Sequence, residues 1–343
     1  MPDTRPVGWG IIGFGWVARD FAAPAIAAAG HRLVAVCDPG EAARAAAAAT
    51  LPPDAIHATP EALLANPAVE AVYVATPNHL HRTAVELAAA AGKPVLCEKP
   101  MTATLAEAEA MAAAVQRSGM LYGTAFDQRH HPAHRAIRAA LRDGLLGTVT
   151  TVRIVYACWL DANWSPTGEG DNWRVDPRRA GGGALMDLAP HGLDLVDFLL
   201  DEPLRDIAAL TQHRVQDYAV DDGAVLLGRT ASGVLATLHV AYNHPETLPR
   251  RRLEILGTRG LLVAENTMGQ DAGGRVTFLD ADTGEARPVP VPRPDLSPFT
   301  QQMAAFAEAV RSGESGGFSI ARDLHTMRLL DRAYRAAENA ACL

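Results

Sequence analysis

The chain has 343 residues, which is enough for about two domains with substantial cores. Its formal net charge is -8, and 48% of its residues are hydrophobic against 20% charged, as is ordinary for a soluble globular enzyme. The negative charge argues against a general nucleic-acid surface. No window approaches an uncharged apolar span of membrane length. We therefore expect neither a nucleic-acid nor a membrane partner.

The cysteines of the chain, Cys37, Cys97, Cys158 and Cys342, show no paired metal or redox spacing. We therefore expect neither a zinc site nor a disulfide framework. Sparse cysteines fit a reducing compartment, and the polar residues 1–6 lack the apolar core of a signal peptide. These features predict a cytoplasmic protein.

A glycine-rich motif follows the first apolar segment, residues 7–12, which is typical of a buried strand. Residues 13–18 read Gly-Phe-Gly-Trp-Val-Ala and open a helical segment. The first glycine permits a tight turn, the second lets the backbone approach a pyrophosphate, and Ala18 keeps helix and strand close. The motif alone is weak evidence, but its context favours a dinucleotide site. We expect the cofactor to contact Gly13, Phe14, Gly15, Trp16 and Val17.

Asp38 ends the second predicted strand, residues 32–38. An acid at this distance from the glycine motif bonds the adenosine ribose hydroxyls and repels a 2′-phosphate. This predicts NAD rather than NADP as the cofactor, and no arginine follows Asp38 immediately. Taken alone, Asp38 is equally compatible with an ordinary turn residue at a strand end.

Strands and helices continue to alternate up to residue 126, which predicts a doubly wound parallel sheet. Ligands of such sheets lie at the carboxyl ends of the strands. Thr76 and Asn78 follow the predicted strand 69–75, and Lys99 follows the strand 94–97. We expect these side chains to face the cofactor crevice, although an isolated Glu-Lys pair is usually only surface charge.

The pattern changes after Phe126. A helix is predicted for 132–143 and a strand for 148–157, followed by an aperiodic stretch, 159–180, which is typical of a functional or mobile loop. Six further strand candidates imply an antiparallel or mixed sheet; they are residues 207–214, 224–230, 234–241, 252–256, 261–265 and 276–279. Closing helices are predicted for 299–311 and 321–341.

The stretch between Gly181 and Asp194 carries three glycines and then a helical pattern. Asp187, His191 and Asp194 fall on one narrow arc of that helix. A histidine oriented by a carboxylate is a common general base, and the alternative is a helix with a solvated polar side. Pro190 cannot donate a backbone hydrogen bond, which predicts that the regular helix begins close to it.

The ordered motifs together resemble the Gfo/Idh/MocA oxidoreductases, the family of glucose–fructose oxidoreductase and inositol dehydrogenase. They are the glycine motif, the turn at 75–81, Glu98-Lys99-Pro100, Trp173-Arg174 and Asp187-x-x-x-His191. The resemblance covers essentially the whole chain. It implies an α/β protein with a Rossmann domain over 1–126 and an α/β domain over 127–343. That second domain has an open mixed, largely antiparallel sheet that commonly forms the oligomer interface. The final helix is expected to pack back on the first domain.

The resemblance also implies an NAD(P)-dependent dehydrogenase or reductase that acts on a CH–OH group of a sugar, a cyclic polyol or a sugar derivative. Lys99 then contacts the reacting hydroxyl, and His191 takes its proton. Asp187 orients the imidazole or holds a neighbouring hydroxyl. Ala189 departs from the family, which often has glycine there. Cofactor contacts are implied for Thr76, Asn78, His81, Glu98 and Lys99.

Pocket candidates are aromatic side chains, which pack on the C–H faces of sugars, and polar side chains that bond hydroxyls. They are Gln128, Arg129, Trp159, Trp173 and Arg174. The alternatives are a core position for each tryptophan and a solvated one for each arginine. Histidines 130, 131 and 134 have spacing compatible with a metal site. No carboxylate or cysteine completes one, so we predict a surface cluster and no metal.

Other functions remain open on the sequence. One is a redox-neutral glycoside-cleaving enzyme that keeps NAD tightly bound. Another is a non-catalytic nucleotide-sensing protein, against which the joint presence of Lys99, Asp187 and His191 argues. The strand-rich second half is expected to leave one face of its sheet exposed unless another subunit packs on it, which predicts a homodimer or homotetramer.

Overall fold

The computed structural model describes residues 5–165 and 172–340. The chain divides into two compact units. The first comprises the described residues of Met1–Ala125 and Phe299–His325, and the second comprises those of Phe126–Pro298 and Thr326–Leu343. Residues 299–325 therefore group with the N-terminal unit although they come late in the sequence.

The strands, in chain order, are β1 Gly8–Ile12, β2 Arg32–Cys37, β3 Ile56–His57, β4 Ala71–Val74, β5 Val95–Cys97, β6 Tyr122–Thr124, β7 Val149–Ala157, β8 Leu204–Gln212, β9 Gly223–Thr230, β10 Leu235–Ala241, β11 Arg251–Gly257, β12 Gly260–Glu265, β13 Arg275–Asp280 and β14 Ala286–Pro288. The α-helices are α1 Ala23–Ala28, α2 Glu41–Ala47, α3 Pro60–Leu64, α4 His81–Ala90, α5 Leu105–Ser118, α6 Pro132–Arg142, α7 Pro177–Ala180, α8 Ala184–Leu200, α9 Pro298–Ser312 and α10 Ile320–Ala340. A π-helical turn, Ala18–Ala22, precedes α1, and 3₁₀ turns occupy Pro53–Ala55, Asn78–Leu80, Asp127–His130 and Trp173–Val175.

The first unit contains a six-stranded sheet in the order β3-β2-β1-β4-β5-β6, and every strand pair is parallel. β1, β4 and β5 are buried along their whole length, as their uninterrupted apolar sequences require. The strand order reverses between β1 and β4, and the crevice at that point is where such sheets bind ligands. The predicted doubly wound sheet is confirmed.

Helix α9 completes the core of the first unit. The ring of Phe306 lies 5.6 Å from that of Trp9 in β1, and the ring of Phe299 lies 5.5 Å from that of Phe21. Trp9 and Phe306 are fully buried, so this helix shields apolar surface that the N-terminal segment alone leaves open.

The second unit contains an eight-stranded sheet in the order β14-β13-β12-β11-β7-β10-β9-β8. Among the described strand pairs of this second sheet, only β7–β10 is parallel. Helix α8 packs on β10 and β7. A Cβ atom on Gly192 of α8 would lie 2.6 Å from the side chain of Leu238 in β10, so this glycine lets helix and sheet approach closely without displacing that leucine. The predicted open mixed, largely antiparallel sheet is confirmed.

The predicted start of the central helix is wrong. α8 begins at Ala184, and Pro190 lies inside it. The missing proline N–H costs one helical hydrogen bond. The helix persists because almost all of its residues are buried, so packing outweighs that loss.

The aperiodic stretch at 159–180 contains two short helical elements, the turn at 173–175 and α7, while residues 166–171 lie outside the described residues. Of the helices within the two described ranges, none is both long and apolar enough to span a bilayer.

Candidate active site

The glycine motif forms the turn between β1 and the first helical segment. Gly13 has a φ of 88°, and a Cβ atom there would lie 2.8 Å from the carbonyl of Ala75, so only glycine fits. At Gly15 a Cβ atom would meet nothing within 4 Å. The first glycine therefore closes the turn against β4, and the second leaves open space beside the backbone. This arrangement fits a pyrophosphate group.

Asp38 lies directly after β2, beside the glycine turn. Its Oδ2 accepts the N–H of Phe14 at 2.8 Å, and its Oδ1 accepts the N–H of Gly40 at 2.7 Å. Two backbone N–H groups thus fix the carboxylate beside the glycine turn. Arg44 of α2 donates to the backbone carbonyls of Asp38 and Pro39, at 2.9 and 2.6 Å. The sequence does not single out Arg44, because helical spacing and not adjacency brings it to Asp38.

The turns after β4 and β5 are tied together by His81. Its Nδ1 lies 3.0 Å from the carbonyl of Pro100, and its Nε2 lies 2.9 Å from the carbonyl of Thr76. Burial lowers the pKa of His81 to about 4, so the ring is neutral near pH 7 and donates to one carbonyl at a time. His81 is fully buried, which supports a role in shaping the cofactor edge. Thr76 Oγ1 is buried without a hydrogen-bond partner in the described chain, which suits a group that a bound cofactor supplies.

Lys99 is half-buried at the end of β5. The preceding Glu98 accepts the hydroxyl of Tyr73 on one carboxylate oxygen and the N–H of Lys99 on the other, the latter at 3.1 Å. Tyr73 is fully buried in the neighbouring strand β4. The pairing of β4 with β5 therefore fixes the backbone from which Lys99 projects.

Asn78 is buried in the 3₁₀ turn that follows Pro77, at the carboxyl end of β4. Trp16 and Val17 lie half-buried at the start of the helical segment, and the ring of Trp16 packs edge-on against Phe21 at 5.3 Å. Phe14 is buried in the glycine turn. The first unit thus brings every predicted cofactor residue to the carboxyl edge of its sheet or to the turns beside it.

The start of α8 is held by a carboxylate from a distant part of the chain. Asp221 accepts the N–H of Gly183 at 2.9 Å and that of Leu185 at 2.8 Å. Both amides are among those that a helix N-terminus leaves without an internal partner, and the negative charge also suits the helix dipole. A Cβ atom on Gly183 would lie 2.0 Å from the carbonyl oxygen of Asp221. This glycine is therefore needed for the close approach.

Asp187 and His191 project from α8 one turn apart, and each meets a different partner. The hydroxyl of Tyr242 donates to Oδ2 of Asp187 at 2.7 Å. Nδ1 of His191 lies 3.2 Å from Oδ1 of Asp127, and both of these side chains are more than nine-tenths buried. Burial, reinforced by the Asp187 charge, raises the pKa of Tyr242 well above its usual value, so Tyr242 remains a donor. Asp187 thus accepts the hydroxyl of Tyr242, and a second carboxylate, Asp127, faces the imidazole.

Two pocket candidates, Arg129 and Gln128, form polar contacts within the second unit. Nε of Arg129 lies 2.6 Å from Oδ2 of Asp194, and its Nη2 lies 2.8 Å from Asp197. Gln128 is fully buried and donates to Oδ2 of Asp127 and to the carbonyl of Gly269, both at 2.9 Å. These contacts support a role in holding α8 and its surroundings. Substrate contact by either residue stays a prediction.

The other pocket candidates lie on either side of residues 166–171. The guanidinium carbon of Arg174 lies 4.6 Å from the ring centre of Trp173 and 5.1 Å from that of Trp164. Trp159 is 41% exposed. Both distances are within the range of cation–π contacts, which hold the guanidinium beside the two rings. Guanidinium and indole groups are residue types that suit the recognition of hydroxyl or carboxylate groups.

The prediction of a surface histidine cluster is wrong for His131 and His134. Both are fully buried, with rings 5.0 Å apart. His131 caps α6 by accepting the N–H of Ala133, and His134 bridges the carbonyl of Gln128 and the hydroxyl of Thr267. They are buried because they close the start of α6, which helical periodicity alone does not reveal. Within the described residues, no group of three or more histidine, cysteine or acidic side chains is placed to hold a metal ion.

Asp127 and Tyr242 were not predicted from the sequence as residues of this site. Asp127 immediately precedes the candidate Gln128, at the end of the last predicted strand of the first domain, so its position offered a signal. Tyr242 directly follows β10, and nothing in its local sequence distinguishes it from a core tyrosine.

Two family models match the chain. One is described as an oxidoreductase family with an NAD-binding Rossmann fold and matches residues 7–126; the other is described as the GFO/IDH/MocA C-terminal domain and matches residues 134–263. Their boundaries follow the two parts of the structure in chain order.

Individual relatives agree with the models. The 1,5-anhydro-D-fructose reductase of Ensifer adhaerens is 34% identical over 93% of this chain and 95% of the reductase. The D-xylose 1-dehydrogenase (NADP(+)) 2 of Haloferax volcanii is 31% identical over 98% of both chains. The solved structure of an aldose-aldose oxidoreductase from Caulobacter crescentus, complexed with glycerol, superposes with a TM-score of 0.86 at 28% identity and covers 98% of both chains. The chain therefore belongs to the GFO/IDH/MocA family of oxidoreductases, with an NAD-binding Rossmann fold in its first part.

Proposed function

We propose that the protein is an NAD-dependent dehydrogenase or reductase that transfers a hydride between a secondary hydroxyl carbon of a sugar, cyclic polyol or sugar derivative and the nicotinamide. The observation that carries this proposal is the pair of carboxylate contacts on α8. His191 faces Asp127, and Asp187 one turn earlier holds the hydroxyl of Tyr242. A buried imidazole beside a carboxylate is equipped to take a proton, and the same chain carries a dinucleotide fingerprint.

The residues of this chain have distinct tasks in the proposed reaction. Oxidation of an alcohol removes a proton from oxygen and a hydride from carbon, and the bound nicotinamide supplies the hydride acceptor. His191 takes the hydroxyl proton, and the Lys99 ammonium favours the negative charge that develops on the oxygen. Asp187, aligned by Tyr242, orients a hydroxyl of the substrate. In the reducing direction the same groups return the proton.

The cofactor contacts follow from the first unit. The space beside Gly15 would take the pyrophosphate, and the fixed Asp38 carboxylate would accept the ribose hydroxyls. Thr76, Asn78, Glu98 and Lys99 lie at the carboxyl ends of β4 and β5, on the nicotinamide side of such a crevice. We propose NAD as the preferred cofactor because Asp38 repels a 2′-phosphate.

The substrate class rests on the names of the relatives and on the chemistry of the site. One relative is named as a reductase of 1,5-anhydro-D-fructose and another as a D-xylose dehydrogenase, and both names refer to sugars. Trp164, Arg174 and Trp173 lie together, and aromatic and guanidinium side chains are the types that suit polyhydroxylated rings. An acidic sugar also fits, because arginine binds carboxylates in a fork geometry.

We further propose a homodimer or homotetramer through the sheet of the second unit. Four leucine and valine side chains on β8, β9 and β10 are between 46% and 63% exposed; they are Leu210, Val225, Leu227 and Leu235. The ladder pairs Leu210 with Val225, so they form part of one apolar patch. A second copy of the same face is self-complementary under two-fold symmetry. A cytoplasmic location is also proposed, since Cys37, Cys97 and Cys158 are free thiols.

The test of the function is a substrate panel. Purified protein is mixed with NAD, and in parallel with NADP, and with inositols, aldoses and amino or acidic sugars, while the absorbance of reduced nicotinamide is followed. We expect a signal with one class of sugar or polyol and NAD, and its loss in Lys99→Ala and His191→Ala. Turnover close to wild type in both variants would contradict the catalytic assignment. Silence across the panel, with NAD still bound, would instead favour redox-neutral cleavage of a glycoside.

A further inference from the structure

The contact between Asp127 and His191 is almost completely buried from solvent. The side chains are 5% and 8% exposed, and Nδ1 of the imidazole lies 3.2 Å from Oδ1 of the carboxylate. Neither atom has a hydrogen-bond partner within the described residues. A buried carboxylate oxygen and a buried ring nitrogen without other partners each lose hydration free energy. A hydrogen bond between the two atoms would recover that loss for both.

The surroundings of Asp127 hold its second oxygen in place. Gln128 Nε2 donates to Oδ2 of Asp127 and also to the carbonyl of Gly269. The carbonyl of Gln128 in turn lies 2.9 Å from Nδ1 of His134. With Oδ2 engaged by Gln128, Oδ1 is the oxygen that faces His191.

The imidazole is confined on its other side as well. The ring of Tyr156 in β7 meets the His191 ring edge-on, with centres 5.4 Å apart and an angle of 77°. Gly192, the next residue of α8, lies against Leu238 and Ile154 of the sheet. These contacts limit rotation of the ring and keep its Nδ1 edge toward Asp127.

We propose that Asp127 is the positioning residue of His191: its carboxylate accepts the Nδ1 proton, fixes the neutral ring in the Nδ1–H tautomer and leaves Nε2 as the atom that takes the substrate proton. This inference rests on the proposed function of His191 as the base. Helical spacing made Asp187 one candidate for the orienting role, whereas the contacts point to Asp127. When Nε2 accepts the proton, the adjacent carboxylate also stabilises the resulting imidazolium.

Several titratable and charged groups lie near this pair, among them Arg251, whose charge acts on Tyr156 together with that of Asp127. His131 and His134 lie at the start of α6, Tyr156 lies in β7 and Asp187 lies one turn away on α8. Burial lowers the pKa of His134 to about 3 and also lowers that of His131, so neither is a cation near pH 7. Burial keeps Tyr156 protonated by raising its pKa. The imidazolium form of His191 therefore meets Asp127 without a competing histidine cation beside it.

The decisive variant is Asp127→Asn. The Gln128 donor draws the new amide oxygen toward itself, so the amide NH₂ group faces Nδ1 of His191. Nδ1 must then accept, and the ring proton moves to Nε2, which is the wrong tautomer for a base. We expect kcat to fall by about 100-fold or more, with KM for NAD unchanged. The acidic limb of the kcat–pH profile is expected to move to lower pH, because the imidazolium has lost its carboxylate.

Two comparisons separate this inference from the proposed function. If His191→Ala retains turnover, the base assignment itself fails, whatever Asp127→Asn does. If His191→Ala is impaired while Asp127→Asn keeps the wild-type kcat and pH profile, only the positioning role is overturned. A residue that acts through His191 also adds little to the loss in the double variant, so Asp127→Asn/His191→Ala is expected to match His191→Ala alone within about threefold.

The matched control is Asp222→Asn, which removes another buried carboxylate of the same unit. Asp222 accepts the N–H groups of residues 214–216 and the side chain of Asn243. An equal loss of kcat with an equal shift of the pH profile in this control would overturn the proposal.

If Asp127→Asn folds poorly, the tautomer of His191 in the wild-type protein provides the test instead. Two-bond ¹⁵N–¹H spectra, assigned by comparison with His191→Gln, are expected to show His191 protonated at Nδ1, and an Nε2–H ring would refute the assignment.

Discussion

The hydroxyl of Tyr334 in α10 donates a 2.9 Å hydrogen bond to Oδ1 of Asp221, the carboxylate that receives the first amides of α8. Burial raises the pKa of Tyr334 well above its usual value, so it donates at any physiological pH. A Cβ atom on Gly182 would lie 2.0 Å from this hydroxyl. The start of the helix that carries Asp187 and His191 is therefore anchored by two distant segments of the chain.

Removing this anchor is expected to destabilise the second unit. Asp221→Ala leaves two helix-start amides and the Tyr334 hydroxyl without an acceptor, at a cost of about 2–4 kcal/mol in the free energy of unfolding. Tyr334→Phe removes one donor and should cost about 1 kcal/mol. Urea titrations of both variants measure these values. Equal stability of wild type and Asp221→Ala would show that the carboxylate does not hold the helix.

Cofactor choice is expected to change at Asp38. Asp38→Ser removes the charge that repels a 2′-phosphate, while the Arg44 guanidinium stays beside the same backbone. The ratio of kcat/KM with NADP to that with NAD should rise by about 10- to 100-fold, the usual effect of one charged contact. The control is Asp38→Ser/Arg44→Ala, in which most of the gain should disappear. An unchanged ratio in Asp38→Ser would mean that other residues select the cofactor.

The buried histidines predict that stability falls in mild acid. Burial lowers the pKa of His81 to about 4 and that of His134 to about 3, against 6.5 for an exposed histidine. Between these values the unfolded chain binds protons that the native chain does not, so the native state loses stability as pH falls below about 6.5. Each histidine contributes a slope of about 1.4 kcal/mol per pH unit. Unfolding free energies measured from pH 7.5 to 4.5 give the total slope.

A histidine substitution checks the origin of that slope. His134→Gln keeps a hydrogen-bonding side chain that does not titrate, so the stability of this variant should depend less steeply on pH than that of wild type. His213→Gln changes an exposed histidine and should leave the slope as it is. If both variants keep the wild-type slope, the acid sensitivity comes from groups other than His134.

Assembly is expected to depend on the apolar sheet face. Leu227 is 56% exposed in the middle of β9. Leu227→Glu places a charge in the proposed interface, where burial without a partner costs several kcal/mol, and should yield monomers. Light scattering at micromolar concentration measures the mass. A wild-type protein that is already monomeric at that concentration would count against the proposed oligomer.

Much of the fold was predictable because its signals are local. The apolar runs of β1, β4 and β5 and the glycine turn at Gly13 identify a parallel sheet with a dinucleotide crevice at its carboxyl edge, and the structure confirms that sheet. Pro190 misled the prediction of where α8 begins, since its local penalty is smaller than the packing free energy of the buried helix. For His131 and His134, the prediction of a surface cluster was wrong for the opposite reason. Polar residues at a predicted helix start look exposed until the neighbouring segments cover them.

The sequence by itself determined the fold class, the cofactor edge and the helix that carries Asp187 and His191, because each of these follows from short-range periodicity and turn chemistry. It could place Asp187 and His191 on one face of a helix, since that geometry repeats every turn. Only the tertiary structure decided which carboxylate faces the imidazole. Asp127 reaches His191 from a turn far away in the sequence, and Asp187 turns to Tyr242. Such contacts depend on how segments pack, and no local pattern records that packing.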